Sequence, residues 1–229
     1  MSQLAQQIQY FDDPAPHIII DNFLSSKLSK EMLHIVEVNK TRFVDADIGG
    51  SNVTFFDNCP ACTKIREFNR FVKRQNDILY MSHFKDLKDS LLVTGITNAL
   101  RDQSFQDYIS KTKSMFPIIN NTDGIEAMCS RHGMCDFYGW HTDNAGDKVL
   151  LKRRVITLVY YFNTEPQKFT GGELIIAHPT IATQKIIEPK HNRAVIFLSQ
   201  TLHCVNTVKL ESDEFKDGRF AINYWIGFE

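Results

Sequence analysis

No run in this 229-residue chain approaches the roughly 18 to 20 apolar residues of a membrane span. There is no charge excess either. A formal net charge of −1 excludes binding to polyanions by bulk electrostatics, so no nucleic acid and no membrane is expected as a partner. Met1–Gln7 lacks a basic n-region and an apolar h-region, so no secretory signal is predicted. Cysteine is scarce: five residues, an odd number, without the spacing of a disulfide framework. A reducing cytoplasm is the simplest home. Cys59-Pro60-Ala61-Cys62 has no second Cys-x-x-Cys to complete a zinc site and no strand–helix signal for a redox fold. It reads as a proline-containing turn with two ordinary thiols. Internal repeats and low-complexity tracts are absent. What remains, at 43% hydrophobic, fits one domain with a core large enough to need no staples.

The two halves differ in periodicity. Ser25 or Ser26 is placed to cap a helix running toward Val38, with Leu28, Met32, Ile35 and Val36 on one stripe. Thr63 is placed to cap another, with Ile65, Phe68, Phe71 and Val72 at helical spacing. A third helix covers about Ser104 to Met115 and ends before Pro117. Phe68, Phe71 and Phe105 read as core residues that pack helices against a sheet. From Ile125 onward, short apolar runs alternate with Gly, Pro, Asn and Asp, which is β punctuation. Helices first and antiparallel strands after predict an α+β fold built on a two-sheet jelly-roll barrel.

The chemistry concentrates in the second half. In an extended strand, residues two apart point to one face, so His141 and Asp143 can offer an imidazole and a carboxylate to one ion. His203 must return on a separate strand. With 8 His and 27 acidic residues, about one His-x-Asp/Glu pair is expected by chance, so the surroundings carry the argument. Tyr138-Gly139-Trp140 precedes the pair and Asn144-Ala145-Gly146-Asp147 follows it. Next come the strand-like Arg154–Asn163, then Gly171-Gly172-Glu173-Leu174, the apolar run Ala194 to Leu198, His203, and finally Gly218-Arg219-Phe220-Ala221-Ile222-Asn223-Tyr224-Trp225. Two imidazoles and one carboxylate leave three metal positions open, the facial arrangement of non-haem Fe(II) oxygenases. Arg219 leads the last strand, with Ala221, Asn223 and Trp225 on its face, and a guanidinium there can clamp a carboxylate bidentately.

That ordered set resembles the 2-oxoglutarate/Fe(II)-dependent dioxygenases of the prolyl 4-hydroxylase-like branch, over about residues 125 to 228. Pro16-His17-Ile18-Ile19-Ile20-Asp21-Asn22-Phe23-Leu24 is similar to the leading strand and turn of that branch. The resemblance implies a double-stranded β-helix (jelly-roll) core supported by N-terminal helices. It implies one oxygenase domain over residues 1–229, with 1–120 mainly helical support and leading strand and 121–229 the catalytic core. His141, Asp143 and His203 would be iron ligands. Arg219 would hold the distal carboxylate of 2-oxoglutarate, with Tyr161 hydrogen-bonding the same group. Thr157, which shares a strand face with Tyr161, would line the pocket, His132 would reach the cosubstrate from the preceding strand, and Trp225 would be an aromatic near the metal.

The implied cofactors are Fe(II), 2-oxoglutarate, O2 and ascorbate as reductant. Asp143 argues for hydroxylation, since related halogenases carry a small residue there. Trp225, six residues after Arg219, stands where nucleic-acid demethylases carry a second arginine. The expected reaction is hydroxylation of an unactivated C–H bond on a prolyl or other residue of a peptide or protein, with release of succinate and CO2. The alternatives are a hydroxylase of a free amino acid or natural-product intermediate, and a non-catalytic metal-binding or sensor barrel. Lys209 to Asp217 reads as a charged hairpin insertion, and Lys152-Arg153-Arg154 as a solvated strand start. His178 and His191 read as solvent-facing turn histidines. Asp45 to Ser51 and Gln167 to Thr170 are expected to border the cavity as recognition loops.

Overall fold

A computed structural model describes residues 8–46, 48–49, 72–81, 90–111, 124–145, 149–180 and 183–227. Alternation along the strands sets its layers. The last strand, β16 (Arg219–Gly227), sends Phe220, Ile222, Tyr224 and Ile226 into a core shared with the helices. Ala221 and Trp225 point the other way, into two smaller interior clusters. Strand β9 (Arg154–Phe162) divides likewise: Ile156, Leu158, Tyr160 and Phe162 face the helices, while Val159 and Tyr161 face inward. Both faces are buried, so the run is almost continuously apolar.

The other strands are β1 (Ile8–Phe11), β2 (His17–Asp21), β3 (Val44–Asp45), β4 (Ile48–Gly49), β5 (Val72–Gln75), β6 (Asp77–Tyr80), β7 (Gly124–His132), β8 (Phe137–His141), β10 (Phe169–Gly171), β11 (Leu174–Ala177), β12 (Gln184–Ile187), β13 (Arg193–Leu198), β14 (Leu202–Val205) and β15 (Val208–Leu210). Eight strands form the major sheet in the order β1-β2-β13-β9-β16-β7-β6-β3. Six form the minor sheet in the order β12-β11-β14-β8-β5-β4. This is the double-stranded β-helix of an α+β protein, as the resemblance implies.

The helices cover the outer face of the major sheet. In α1 (Ser26–Val38), Ser25 is the cap and its hydroxyl accepts from the Leu28 amide. Met32 and Val36 of α1 pack in one core with Leu92, Ile96 and Leu100 of α2 (Leu91–Leu100) and with Phe105 and Ile109 of α3 (Gln103–Lys111). Full burial of each such apolar side chain contributes roughly 1.5–3 kcal/mol relative to exposure. A short helix, α4 (Val149–Lys152), precedes β9.

Several expectations change. The N-terminal half is less helical than its spacing suggests: β5 and β6 join the minor and major sheets by pairing with β8 and β7. The helix expected after Thr63 lies outside the described residues, except that Val72 belongs to β5. Phe68 and Phe71 also lie outside, whereas Phe105 is fully buried. The segment read as a charged hairpin is not one. Val208–Leu210 pairs with β10 across the barrel end, and Phe215 then packs edge-on against Phe220. Cys135 is disulfide-bonded, where only reduced thiols were expected.

Candidate metal centre and cosubstrate pocket

The minor sheet builds the ligand cluster. His141 ends β8 and His203 lies on β14, and the two are direct cross-strand partners. Asp143 sits two residues past β8, its backbone amide donating to the Ser199 carbonyl at 2.8 Å. The His141 Nε2 atom lies 3.6 Å from Asp143 Oδ1, and His203 Nε2 lies 3.8 Å from Asp143 Oδ2. The three ligand atoms all fall within 4.8 Å of one another. Both imidazoles are oriented alike. Nδ1 of His141 meets the Gly139 carbonyl at 2.8 Å, and Nδ1 of His203 meets the Thr201 carbonyl at 2.8 Å. Each carbonyl can take a ring N–H, which fixes the tautomer that leaves Nε2 free to ligate.

Electrostatics agree with that reading. Burial and the neighbouring His141 hold His203 down at about 4, so the ring is neutral at ordinary pH. Burial alone would raise the Asp143 pKa. The two histidines and the Thr157 hydroxyl outweigh it, and the carboxyl stays far below its usual range. A neutral imidazole at His203 and an ionised carboxylate at Asp143 suit the donor set that a divalent ion needs.

Thr157 takes a different part from the one expected. It does not line the cavity among the described residues. Its hydroxyl donates to Asp143 Oδ2 at 2.7 Å and lies 3.0 Å from Ser199 Oγ. Thr157→Val keeps the shape and removes that donor. It is expected to weaken metal affinity by about 10- to 100-fold while leaving the fold intact, since losses of that size follow removal of a group that orients a ligand. Competition with a chelator, alongside circular dichroism, checks it.

The ligand atoms face a cavity of about 510 Å³ between the sheets. Across from them, the major sheet presents Arg219, Tyr161 and His132, in adjacent strands with Arg219 directly opposite His132. Arg219 is only 2% exposed. Its Nε donates to the Gly172 carbonyl at 2.7 Å, Nη1 lies 3.4 Å from His132 Nδ1, and the guanidinium carbon sits 4.9 Å from the Tyr161 ring centre. Gly172 explains the sequence Gly171-Gly172. A Cβ at Gly172 would come within 2.6 Å of the Arg219 side chain, and its φ of +70° suits glycine.

Among the described residues, no carboxylate lies within ion-pair distance of Arg219, and two neighbouring polar atoms, Tyr161 Oη and His132 Nε2, are buried without a hydrogen-bond partner. Burial and the adjacent arginines keep His132 neutral, well below its usual pKa. A guanidinium beside orphaned polar atoms fits a carboxylate of a bound cosubstrate.

Trp225 also lines the cavity, and its indole Nε1 is buried and unpartnered. Arg154 stacks over it at 3.7 Å and binds the Glu126 carboxylate. The basic cluster therefore does not end in a solvated arginine: Arg154 is 8% exposed and faces the cavity. A helical or strand period cannot reveal a partner 28 residues away, and that is why the sequence reading missed it. Among the described residues, Asp45, Ala46 and Gln167–Thr170 do not contribute to the cavity lining; the side chains of the rest of the Asp45 to Ser51 segment lie outside the described part of the chain. Phe169 and Gly171 are instead tied to β15. His191 is half-buried rather than solvent-facing, its Nδ1 lying 2.9 Å from the Asn163 carbonyl.

Known proteins resemble this chain. Residues 127–227 match the profile of the 2OG-Fe(II) oxygenase superfamily. An uncharacterised PKHD-type hydroxylase of Synechocystis sp. is 36% identical over 113 residues, an alignment covering 44% of this chain and 36% of that relative. The chain thus spans little more than a third of that relative's length. A prolyl 4-hydroxylase from Pseudomonas putida superposes with a TM-score of 0.55 at 15% identity, covering 93% of this chain and 92% of that one. A prolyl hydroxylase from Trichoplax adhaerens, solved with a peptide fragment of the hypoxia inducible factor oxygen degradation domain, superposes with a TM-score of 0.56 at 19% identity, covering 92% and 83%. Residues 127–227 thus match the 2OG-Fe(II) oxygenase superfamily profile, and the chain shares the fold of solved prolyl hydroxylases.

Proposed function

We propose that this protein is an Fe(II)- and 2-oxoglutarate-dependent dioxygenase that hydroxylates an unactivated C–H bond on a prolyl or other residue of a peptide or protein. The observation that carries this reading is the pairing, across one cavity, of the His141–Asp143–His203 cluster with an unneutralised Arg219. His141, Asp143 and His203 would hold Fe(II). When bound, Fe(II) with 2-oxoglutarate and O2 supplies the oxidising power: one oxygen atom enters the C–H bond, the other enters succinate, and CO2 leaves.

The chain's own residues bind, orient and exclude. The Arg219 guanidinium anchors the distal carboxylate of 2-oxoglutarate, and the Tyr161 hydroxyl and His132 Nε2 take up hydrogen bonds they otherwise lack. Gly172 holds Arg219 in place through its carbonyl. Thr157 and the Ser199 carbonyl fix Asp143. Buried apolar walls, among them Val159 and Leu174, keep bulk water from the reacting atoms. The peptide preference draws support from the Trichoplax structure, whose protein binds a peptide in the same fold.

The test loads the protein anaerobically with Fe(II) and 2-oxoglutarate, with and without ascorbate. Oxygen is then admitted in parallel to a proline-containing peptide library and to a pool of amino acids and small metabolites. The expected result is succinate release coupled to a mass gain of one oxygen atom on a peptide. Oxygen gained only by small molecules sinks the peptide reading. Tight 2-oxoglutarate binding without succinate from either pool favours the sensor barrel.

A further inference from the structure

Arg74, Arg154 and Arg219 all face the cavity, and all three are buried. Their charges are handled differently. Arg154 is neutralised by Glu126. Nearer the surface, Arg131 pairs with Asp77 at 2.9 Å and Arg193 with Asp21 at 2.6 Å. Arg219 awaits the cosubstrate carboxylate. Arg74, on β5 of the minor sheet and 6% exposed, has no carboxylate within ion-pair distance among the described residues.

The contacts of Arg74 are neutral. Its Nε donates to Asn76 Oδ1 at 2.6 Å, and Nη2 lies 3.9 Å from the Met128 sulfur. Its guanidinium carbon sits 4.6 Å from the Tyr138 ring centre. Asp143 attracts it only from a distance, and that carboxylate already belongs to the ligand cluster. Leaving a buried charge without a counter-ion is costly, and arginine does not escape by losing its proton.

The location of this cation limits what it can serve. The Tyr138 ring beneath it is itself stacked on the His141 imidazole, with centres 3.6 Å apart and planes at 14°. The guanidinium is therefore one aromatic ring away from a metal ligand. It enters from the minor sheet, while Arg219 enters from the major sheet. Two unneutralised cations, one from each sheet, share a single cavity of about 510 Å³, within the size of sites that enclose small ligands. Two anions are called for, and the distal carboxylate of 2-oxoglutarate accounts for one.

We propose that Arg74 binds a carboxylate of the primary substrate, close to the bond that is hydroxylated; this rests on the oxygenase reading above. With Nε held by Asn76 and the terminal nitrogens met only by neutral groups, the Met128 sulfur and Tyr138, the outer edge of the guanidinium suits a planar carboxylate. That group is either the α-carboxylate of a free amino acid or an acidic side chain beside the target residue of a peptide.

The test uses protein loaded with Mn(II) and N-oxalylglycine, so that no turnover occurs. Two matched series are titrated: acetyl-Pro-Asp-amide against acetyl-Pro-Asn-amide, and free L-amino acids against their amides. Each acid is expected to bind about tenfold or more tightly than its amide in one series, as suits a charge-assisted pair. The series that shows the preference identifies the source. Arg74→Gln is expected to abolish the preference and Arg74→Lys to retain part of it.

No acid preference in the wild type, including no binding of either series, overturns the proposal. So does a preference that survives in Arg74→Gln. The oxygenase reading is scored separately, by the visible charge-transfer band of anaerobic Fe(II) with 2-oxoglutarate. A wild-type band without acid preference rejects the Arg74 assignment alone. No wild-type band rejects both readings. Loss of the band in both Arg74 variants makes the residue structural and overturns the proposal.

Discussion

His141→Ala and His203→Ala are each expected to lower Fe(II) affinity by more than about 100-fold and to abolish succinate formation. The estimate starts from groups that merely orient ligands, whose loss costs about 10- to 100-fold, so loss of a ligand itself costs at least the upper end. The two variants should behave alike, because the rings are arranged alike: each has Nδ1 at 2.8 Å from a carbonyl two residues earlier and Nε2 aimed at Asp143. Both rings face the cavity, and Phe197, which packs edge-on against His203, keeps its other apolar neighbours between the sheets. Asp143→Gly removes the only acid of the cluster and is expected to leave weak metal binding without normal hydroxylation. Equilibrium dialysis against Fe(II) or Mn(II), with melting temperature as the control for folding, measures the effect. Wild-type metal occupancy and turnover in either histidine variant would reject the ligand assignment.

The ligand cluster was legible because strand geometry is short-ranged. His141 and Asp143 are two residues apart, and the alternation that puts them on one side needs no knowledge of the rest of the chain. His203 was legible through the order of its flanking motifs, and the structure seats it directly opposite His141. The Arg219 face was legible for the same reason, since Asn223 and Trp225 do share the cavity with it.

What failed depends on register between distant strands. Thr157 lies on the same side of β9 as Tyr161, but it meets the Asp143 carboxylate and Ser199, a neighbour 42 residues on. Arg154 reads as surface in isolation and is buried only because Glu126, on another strand, neutralises it. Arg74 stands in a stretch of weak pattern, and nothing local announces that β5 pairs with β8 and brings the guanidinium over Tyr138. Val72, counted with a helical stripe, also falls in β5, where tertiary pairing overrides local spacing. Position along the chain is likewise a poor guide to a cavity wall. Gln167–Thr170, singled out for recognition, is not found there, and its Phe169 is buried against the barrel end instead.

Arg219→Ala is expected to raise the 2-oxoglutarate concentration needed for half-maximal turnover by about 10- to 150-fold, the equivalent of roughly 1.5–3 kcal/mol for hydrogen bonds to a charged group. Metal affinity should change little, because the groups that act on Arg219 (Gly172, His132, Tyr161 and Glu173) include none of the three ligands. Such a split between cosubstrate and metal separates an anchoring role from a structural one. The fold has a further stake in the residue, since its side chain fills the space that a Cβ at Gly172 would occupy. Alanine leaves a void there, so Arg219→Lys is the companion variant. It keeps the charge and most of the stem but loses the planar fork, and is expected to fall between wild type and alanine. Tyr161→Phe gives the matching smaller step: its hydroxyl is buried without a partner in the ligand-free protein, so removing it should not cost stability but should weaken 2-oxoglutarate binding several-fold. Anaerobic titration of 2-oxoglutarate into metal-loaded protein reads all three. Unchanged binding in Arg219→Ala would move the cosubstrate anchor elsewhere in the cavity, and Arg74 would be the first residue to examine, since among the described residues its guanidinium also lies there without a carboxylate.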